Sequence, residues 1–263
     1  MATDAPQGRL SGLVAIVTGA GSSGPGIGNG RATAILFARE GARVVLVDRV
    51  AERAEETLDL IRQEGGEARV VAADVTSDSD CARALDQALA SYGRVDILDN
   101  NVGIGVAGSV VQVSEADWDR VMATNVKSIM LMSKHVVPAV ARGGGGSIIN
   151  ISSTSALRPR GLTAYSASKG AVIALTRAMA VDHAAESVRV NCIVPGPVYT
   201  PMVSRGMTPE RRAARVTAVP LRSEGTAWDV AWAAVYLASK ESRWVTGISL
   251  VVDGGLSLSG PDR

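Results

Sequence analysis

The sequence predicts an α/β fold: one doubly wound domain with a mostly parallel sheet of about seven strands, covered by helices on both faces. Two patterns point there. Short runs rich in Val, Ile and Leu recur along the chain, and segments with helical spacing separate them. Strands that are apolar at successive positions have no solvent face, and strands joined through helices cross over to lie parallel. Composition agrees, since 46% of the 263 residues are hydrophobic and 20% are charged. No repeat, low-complexity tract or linker interrupts the chain, so 1–263 reads as a single domain. Residues 1–12 form a polar N-terminal extension.

The elements follow in order. "LVAIVTG" (13–19) is a short apolar run closed by glycine, the first strand. "RATAILFAREG" (31–41) has helical spacing, and Gly41 is placed to end it. "RVVLVD" (43–48) is the second strand. "AERAEETLDLIRQEGG" (51–66) is an amphipathic helix stopped by two glycines. "ARVVAADV" (68–75) is the third strand, 79–92 a helix, and "VDILDNN" (95–101) the fourth strand. A long helix begins near Ser114, where "SEAD" reads as a capping box. "GSIINISS" (146–153) is the fifth strand, 164–187 a long helix, and "VRVNCIVPG" (188–196) the sixth strand. The stretch 198–226, rich in Arg, Pro and Gly, reads as an irregular mobile loop. "AWDVAWAAVYLAS" (227–239) is a helix and "GISLVVDGG" (247–255) the last strand.

Several function classes are disfavoured. The formal net charge is +1, with no basic footprint for nucleic acid. Trp228, Trp232 and Trp244 read as core or interface residues rather than a base-stacking platform. Cys81 and Cys192 make no disulfide framework, which fits a reducing compartment. No signal peptide and no apolar run of transmembrane length is visible, so the expected location is cytoplasmic. His135 and His183 lie within helices and read as surface or satisfied residues, and no ligand cluster suggests a metal.

"TGAGSSGPGIGNGRA" (18–32) carries six glycines between the first strand and the first helix. Bare backbone there lets N–H groups approach a pyrophosphate, and the helix N-terminus adds partial positive charge. Asp48 ends the second strand, where a carboxylate can accept from the adenosine ribose hydroxyls. This is the arrangement of a dinucleotide-binding Rossmann fold. A methyltransferase with an adenosine-containing cofactor would also fit this half.

The second half discriminates. Tyr165 and Lys169 are four apart in a predicted helix and share one face. A free phenol, with pKa about 10, is a poor base near neutrality. An ammonium held beside it favours the tyrosinate. Ser153, ending the fifth strand, can donate to a substrate oxygen.

With these residues the sequence resembles the short-chain dehydrogenase/reductase family over nearly its whole length. The shared stretches include "TGAG…GIG", Asp74 in "AADV", "NNVG" at 100–103, Asn125 in "ATNVKS", Ser153, "YSASK" at 165–169, "PGPVYTPM" at 195–202 and "VTGISLVVDGG" at 245–255. The resemblance implies Tyr165 as catalytic acid/base and Lys169 as the residue that lowers its pKa and holds the nicotinamide ribose. Ser153 is implied as the donor to the substrate oxygen. Asn125 is implied to position a water in a proton relay from Lys169. Cofactor contacts are implied at Gly19, Gly21, Gly26, Ile27, Gly28, Asp48, Arg49, Asp74, Val75, Asn101, Gly103, Pro195, Gly196, Val198 and Thr200. The cofactor implied is NAD, with Asp48 excluding a 2′-phosphate; a clamp by Arg49 on that phosphate is the rival reading. A homotetramer through the two long helices and the C-terminal helix and strand is implied as well.

The sequence departs from the family pattern in three places. The first turn is longer than usual, so either Gly24 or Gly26 is placed to meet phosphate, and either Gly28 or Gly30 to start the helix. The extra residues read as a flap on the phosphate side, with Pro25 limiting its freedom. Asp99 stands where an apolar residue is common. It reads as a solvated strand end, with pairing inside the site as the alternative. The interval from Ser153 to Tyr165 is short by one, which keeps Ser152 and Ser155 as substitutes for the serine role.

Ile104, Val106, Leu157, Leu162, Met202, Val203 and Met207 are expected to line a mostly apolar substrate pocket, suited to a secondary alcohol or ketone. Arg158, Arg160 and Arg205 could meet a carboxylate, but more often such arginines face solvent. The leading reading is an NAD-dependent alcohol dehydrogenase. An NADP-preferring ketoreductase and a noncatalytic cofactor-binding protein of the same fold are the alternatives.

Overall fold

The computed structural model describes residues 8–159, 161–204 and 206–260. Arg160 and Arg205 lie outside the described residues, as do 1–7 of the expected extension. Among the described residues the strands form a seven-stranded sheet in the order β3-β2-β1-β4-β5-β6-β7, with every pairing parallel. The strands are β1 (Val14–Thr18), β2 (Arg43–Asp48), β3 (Ala68–Ala72), β4 (Ile97–Asn100), β5 (Gly146–Ile151), β6 (Val188–Pro195) and β7 (Ser249–Val252). The order reverses between β1 and β4. At such a switch point the loops beyond the strand ends diverge and open a crevice.

β1 shows why these strands read as apolar at every position, since all five of its residues are buried. Ala15 and Val17 pack under α1 (Asn29–Arg39), α2 (Ala51–Gln63) and α9 (Ala227–Ala238). Val14 and Ile16 face the opposite layer, made by α3 (Asp78–Tyr92), α5 (Ser128–Arg142) and α6 (Thr163–Asp182). Each fully buried Val, Leu, Ile or Phe contributes about 1.5–3 kcal/mol. No helix among the described residues is long and apolar enough to cross a membrane.

Four features differ from the sequence reading. Residues 8–12 belong to the fold: Leu10 is fully buried and its N–H donates to Glu40 O at 2.8 Å. The stretch 198–226 is not irregular throughout, because it holds α7 (Pro201–Ser204) and α8 (Pro209–Thr217). Thr208 caps α8 through its hydroxyl and Pro209 opens it. No residue of α8 is buried, so it contributes nothing to the core pattern that marks the other helices. The helix from Ser114 is broken into α4 (Glu115–Met122), a π-turn (Ala123–Lys127) and α5.

Asp99 is the fourth difference. It is no solvated strand end: it lies in β4 in register between Val17 and Ile149 and is fully buried. Neither carboxylate oxygen has a hydrogen-bond partner. β4 is an inner strand covered on both faces, and burial pushes the Asp99 carboxyl up to about 8.

Candidate active site

The crevice at the strand ends collects the residues the sequence singled out. α6 begins after Leu162, which bridges to Gly108, and its first turns carry Tyr165 and Lys169 on one face. The Lys169 side chain runs inward, 3% exposed, and Nζ donates to Ile151 O at 2.8 Å. Burial holds its ammonium down to about 8. Nζ lies 5.7 Å from the centre of the Tyr165 ring.

Ser153 lies near enough to the Tyr165 phenol to act on its titration, and its Oγ accepts from the Ser155 N–H at 3.1 Å. Ser152 cannot take that part, since its buried hydroxyl donates to Lys169 O at 2.7 Å. In this arrangement the phenol is not depressed. Burial raises the Tyr165 pKa, and Ser153 opposes the rise.

Asn125 sits in the π-turn and is fully buried. Its Oδ1 accepts from Ile104 N at 2.8 Å, and its Nδ2 donates to Ile104 O and to Ser168 Oγ, each at 2.9 Å. Ser168 Oγ in turn donates to Tyr165 O at 2.7 Å. Asn125 thus staples the 101–108 segment to α6. Gly103 is brought so close that a Cβ there would lie 3.1 Å from Lys169 Nζ. π-turns concentrate at functional positions, and here the extra residue turns Asn125 inward.

On the other side of the crevice, Gly28 caps α1 without a side-chain cap, and the first turn carries no acidic residue. That leaves helix-end N–H groups for an anion. Gly30 packs so tightly that a Cβ would lie 2.2 Å from Gly19 O and 2.4 Å from Asn101 Nδ2. This resolves the long first turn: Gly28 starts the helix and Gly30 lets it approach β1 and β4. Gly26, with φ +109°, and Ile27 belong to the longer segment outside that contact. Gly21 is equally confined, since a Cβ would meet Asp48 Oδ2 at 2.7 Å and Arg53 Cβ at 2.5 Å. Asp48 accepts from Gly21 N at 3.1 Å and from Val50 N at 3.0 Å, so it is fixed at the β2 end.

Arg49 lies 3.8 Å from Asp74 Oδ2, and Thr76 holds the Asp74 carboxyl below the usual carboxylate range. Val75 is buried beside it. Across the sheet, Pro195 ends β6 and Gly196 N donates to Val252 O at 2.9 Å. Val198 and Thr200 follow, both buried, and lead into α7. The glycine cradle, the bare helix end and the carboxylate at the β2 end all fit a dinucleotide. The described residues contain no group of three or more metal-ligating side chains.

A cavity of about 430 Å³ lies beneath α8, lined by Tyr199, Met207, Pro209, Arg212, Val216 and Glu224 among others. Of the residues expected to line the substrate pocket, only Met207 borders it. Leu157 and Met202 are exposed. Arg158 does not face solvent freely, because it donates to Leu256 O at 2.8 Å. His135 pairs with Asp78 and His183 with Glu186. Trp228 lies under the Arg39 guanidinium, whereas Trp232 and Trp244 are exposed.

The structure adds residues that sequence reading missed. Ser168 completes the link from Asn125 to Tyr165. Arg53 lies beside Asp48, and Arg31 and Thr57 lie behind the glycine turn. A signal existed for Arg31: a cation in the first turn of a helix opposes the helix dipole and calls for a reason.

Sequence and structure comparisons agree with this geometry. The profile of a family described as enoyl-(acyl carrier protein) reductase matches residues 24–257. The crystal structure of a Burkholderia xenovorans protein described as a short-chain dehydrogenase/reductase superposes with a TM-score of 0.92 at 44% identity, over 96% of this chain and 99% of that one. A 7alpha-hydroxysteroid dehydrogenase solved with NADH and 7-oxo glycochenodeoxycholic acid gives a TM-score of 0.88 at 38% identity, over 94% and 95%. The 2,5-dichloro-2,5-cyclohexadiene-1,4-diol dehydrogenase of Sphingobium indicum is 36% identical over 251 residues, covering 95% of this chain and 98% of that protein. Fold and site together define an oxidoreductase built to bind a nicotinamide cofactor. The chain belongs to the short-chain dehydrogenase/reductase family.

Proposed function

We propose that this protein is an NAD-dependent dehydrogenase/ketoreductase acting on a secondary alcohol or its ketone, with Tyr165 as acid/base. The observation that carries this reading is the buried Lys169 beside the Tyr165 ring, with Ser153 close to the phenol. The nicotinamide, when bound, supplies the hydride acceptor or donor, and its positive ring favours the tyrosinate that burial alone opposes. Tyr165 takes the alcohol proton in oxidation and returns it to the ketone oxygen in reduction. Ser153 donates to the substrate oxygen as charge develops there, a role worth about 2.7–4 kcal/mol. Lys169 commits one of its three protons to Ile151 O, which leaves the others for a ribose hydroxyl. Asn125 keeps Gly103 and Ile104 against this group.

Screening secondary alcohols with NAD and NADP for absorbance of the reduced cofactor tests the reading. No turnover with any alcohol or ketone, despite cofactor binding, would favour the noncatalytic alternative. A homotetramer belongs to the same proposal. It is supported by exposed Trp232 on α9 and by Ile248 and Val251 at the β7 edge of the sheet. A cytoplasmic location is supported by the free, buried thiols of Cys81 and Cys192.

NAD is expected to be favoured over NADP by at least about tenfold, or 1.4 kcal/mol. Hydrogen bonds to a charged group are worth about 1.5–3 kcal/mol, and a 2′-phosphate would meet the Asp48 charge instead. Asp48→Ser is expected to erode the preference, because Arg49 and Arg53 flank the position. The ratio of kcat/KM for the two cofactors, in both proteins, is the measurement. Equal efficiency in the wild type would remove the role assigned to Asp48.

A further inference from the structure

Arg31 stands at the third position of α1 and is 5% exposed. A cation in the first helical turn opposes the helix dipole, and a buried guanidinium needs its donors satisfied. Nε donates to Thr57 Oγ1 at 3.0 Å and Nη1 to Gly26 O at 3.2 Å. Nη2 donates to Arg53 O at 3.1 Å and to Glu56 Oε2 at 2.6 Å. The Thr57 hydroxyl passes the link on to Ala20 O at 2.8 Å. Thr57, Arg53 and Glu56 all belong to α2. One side chain therefore ties both ends of the long glycine segment to the same helix, directly at Gly26 and through Thr57 at Ala20.

Between these ties the segment runs past α7 with room for about a methyl group between them. A Cβ on Gly24 would lie 3.8 Å from Pro201 Cβ, and one on Gly26 would lie 3.6 Å from Pro201 Cγ. Residues 22–27 thus bridge the bare end of α1 and the segment that follows Thr200. Ordering free backbone costs about 1–2 kcal/mol per residue. A segment already pinned before the cofactor arrives avoids much of that cost on binding.

We propose that Arg31 is a positioning residue for the nicotinamide cofactor: it pins residues 22–27 to α2, alongside Pro201, which preshapes the phosphate turn and slows dinucleotide release. This rests on the functional reading above.

The test combines NADH titration and release, followed by tryptophan fluorescence, with amide hydrogen exchange of residues 22–27 in cofactor-free protein. Arg31→Met is expected to raise the NADH Kd about tenfold, mainly through faster release, and to speed exchange of the segment. Arg31→Lys keeps the charge but loses the fork, and should recover only part of the affinity. Thr57→Val, which severs the link to Ala20, is the second variant should Arg31→Met fold poorly. Deleting Ser23–Pro25 should also weaken NADH binding, and adding Arg31→Met to the deletion should then change Kd little further, because the span held between the ties at Ala20 and Gly26 is gone. Additive losses would overturn the proposal by showing that Arg31 acts through general helix packing. An unchanged Kd in folded Arg31→Met would overturn it too, leaving the functional reading intact. A wild type that binds neither NADH nor NADPH would overturn both.

Discussion

Tyr165→Phe is expected to abolish turnover while leaving NADH binding nearly intact. The substitution removes one oxygen, the atom whose titration Ser153 influences. The ring remains to fill its place beside Gly105, whose Cβ position lies 3.7 Å from Tyr165 Cδ2. General acid–base catalysis contributes about 10²–10⁴-fold, so a loss of roughly 10³-fold or more in kcat is expected. Lys169 keeps its bond to Ile151 O, so the ribose side should be little disturbed. Single-turnover rates on a reactive alcohol, with NADH titration of the same preparation, measure both quantities. Substantial residual turnover would remove Tyr165 from the acid/base role.

Asp99→Leu is expected to stabilise the fold, and increasingly so as pH rises. Both side chains branch at Cγ, but the carboxyl is buried with both oxygens unpartnered. Its folded-state pKa of about 8 lies above the unfolded value near 3.9. Protonation therefore favours the native state. That contribution is fully present below about pH 4 and is lost as pH rises through 8. Leucine removes the dependence. The gain over wild type should be on the order of 1–3 kcal/mol near pH 5, where an unpaired neutral carboxyl remains. Above pH 8 it should reach several kcal/mol. Urea denaturation of both proteins at pH 5, 7 and 9 gives the comparison. Parallel pH profiles would show that Asp99 is not held neutral in the native state.

The strands and most helices were legible in the sequence because the physics that forms them is local. β1 is apolar on both faces, and α6 carries Tyr165 and Lys169 at helical spacing, whatever packs against them. Asp99 was misread for the complementary reason. Its run ends in polar residues, as an exposed strand end would, and only the sheet order shows β4 to be an inner strand. The helix α8 escaped notice because it is short, rich in charged residues and buries none of its residues, so it carries no core-facing apolar run.

The chain's residues alone determined which groups are available for chemistry: a phenol, an ammonium and a serine hydroxyl in one region, and glycines ahead of a helix in another. Tertiary structure decided how they meet. The π-turn aims Asn125 at Ile104, and one inserted residue in a helix leaves no mark in a periodicity of 3.6. Which of six glycines faces what became clear only when Gly30 was seen against Gly19 and against Asn101, which is remote in sequence. Arg31 likewise looks like any helix arginine until α2 closes around it. Backbone preference and apolar period act over a few residues, whereas burial, partner and charge environment are set by contacts across the sheet.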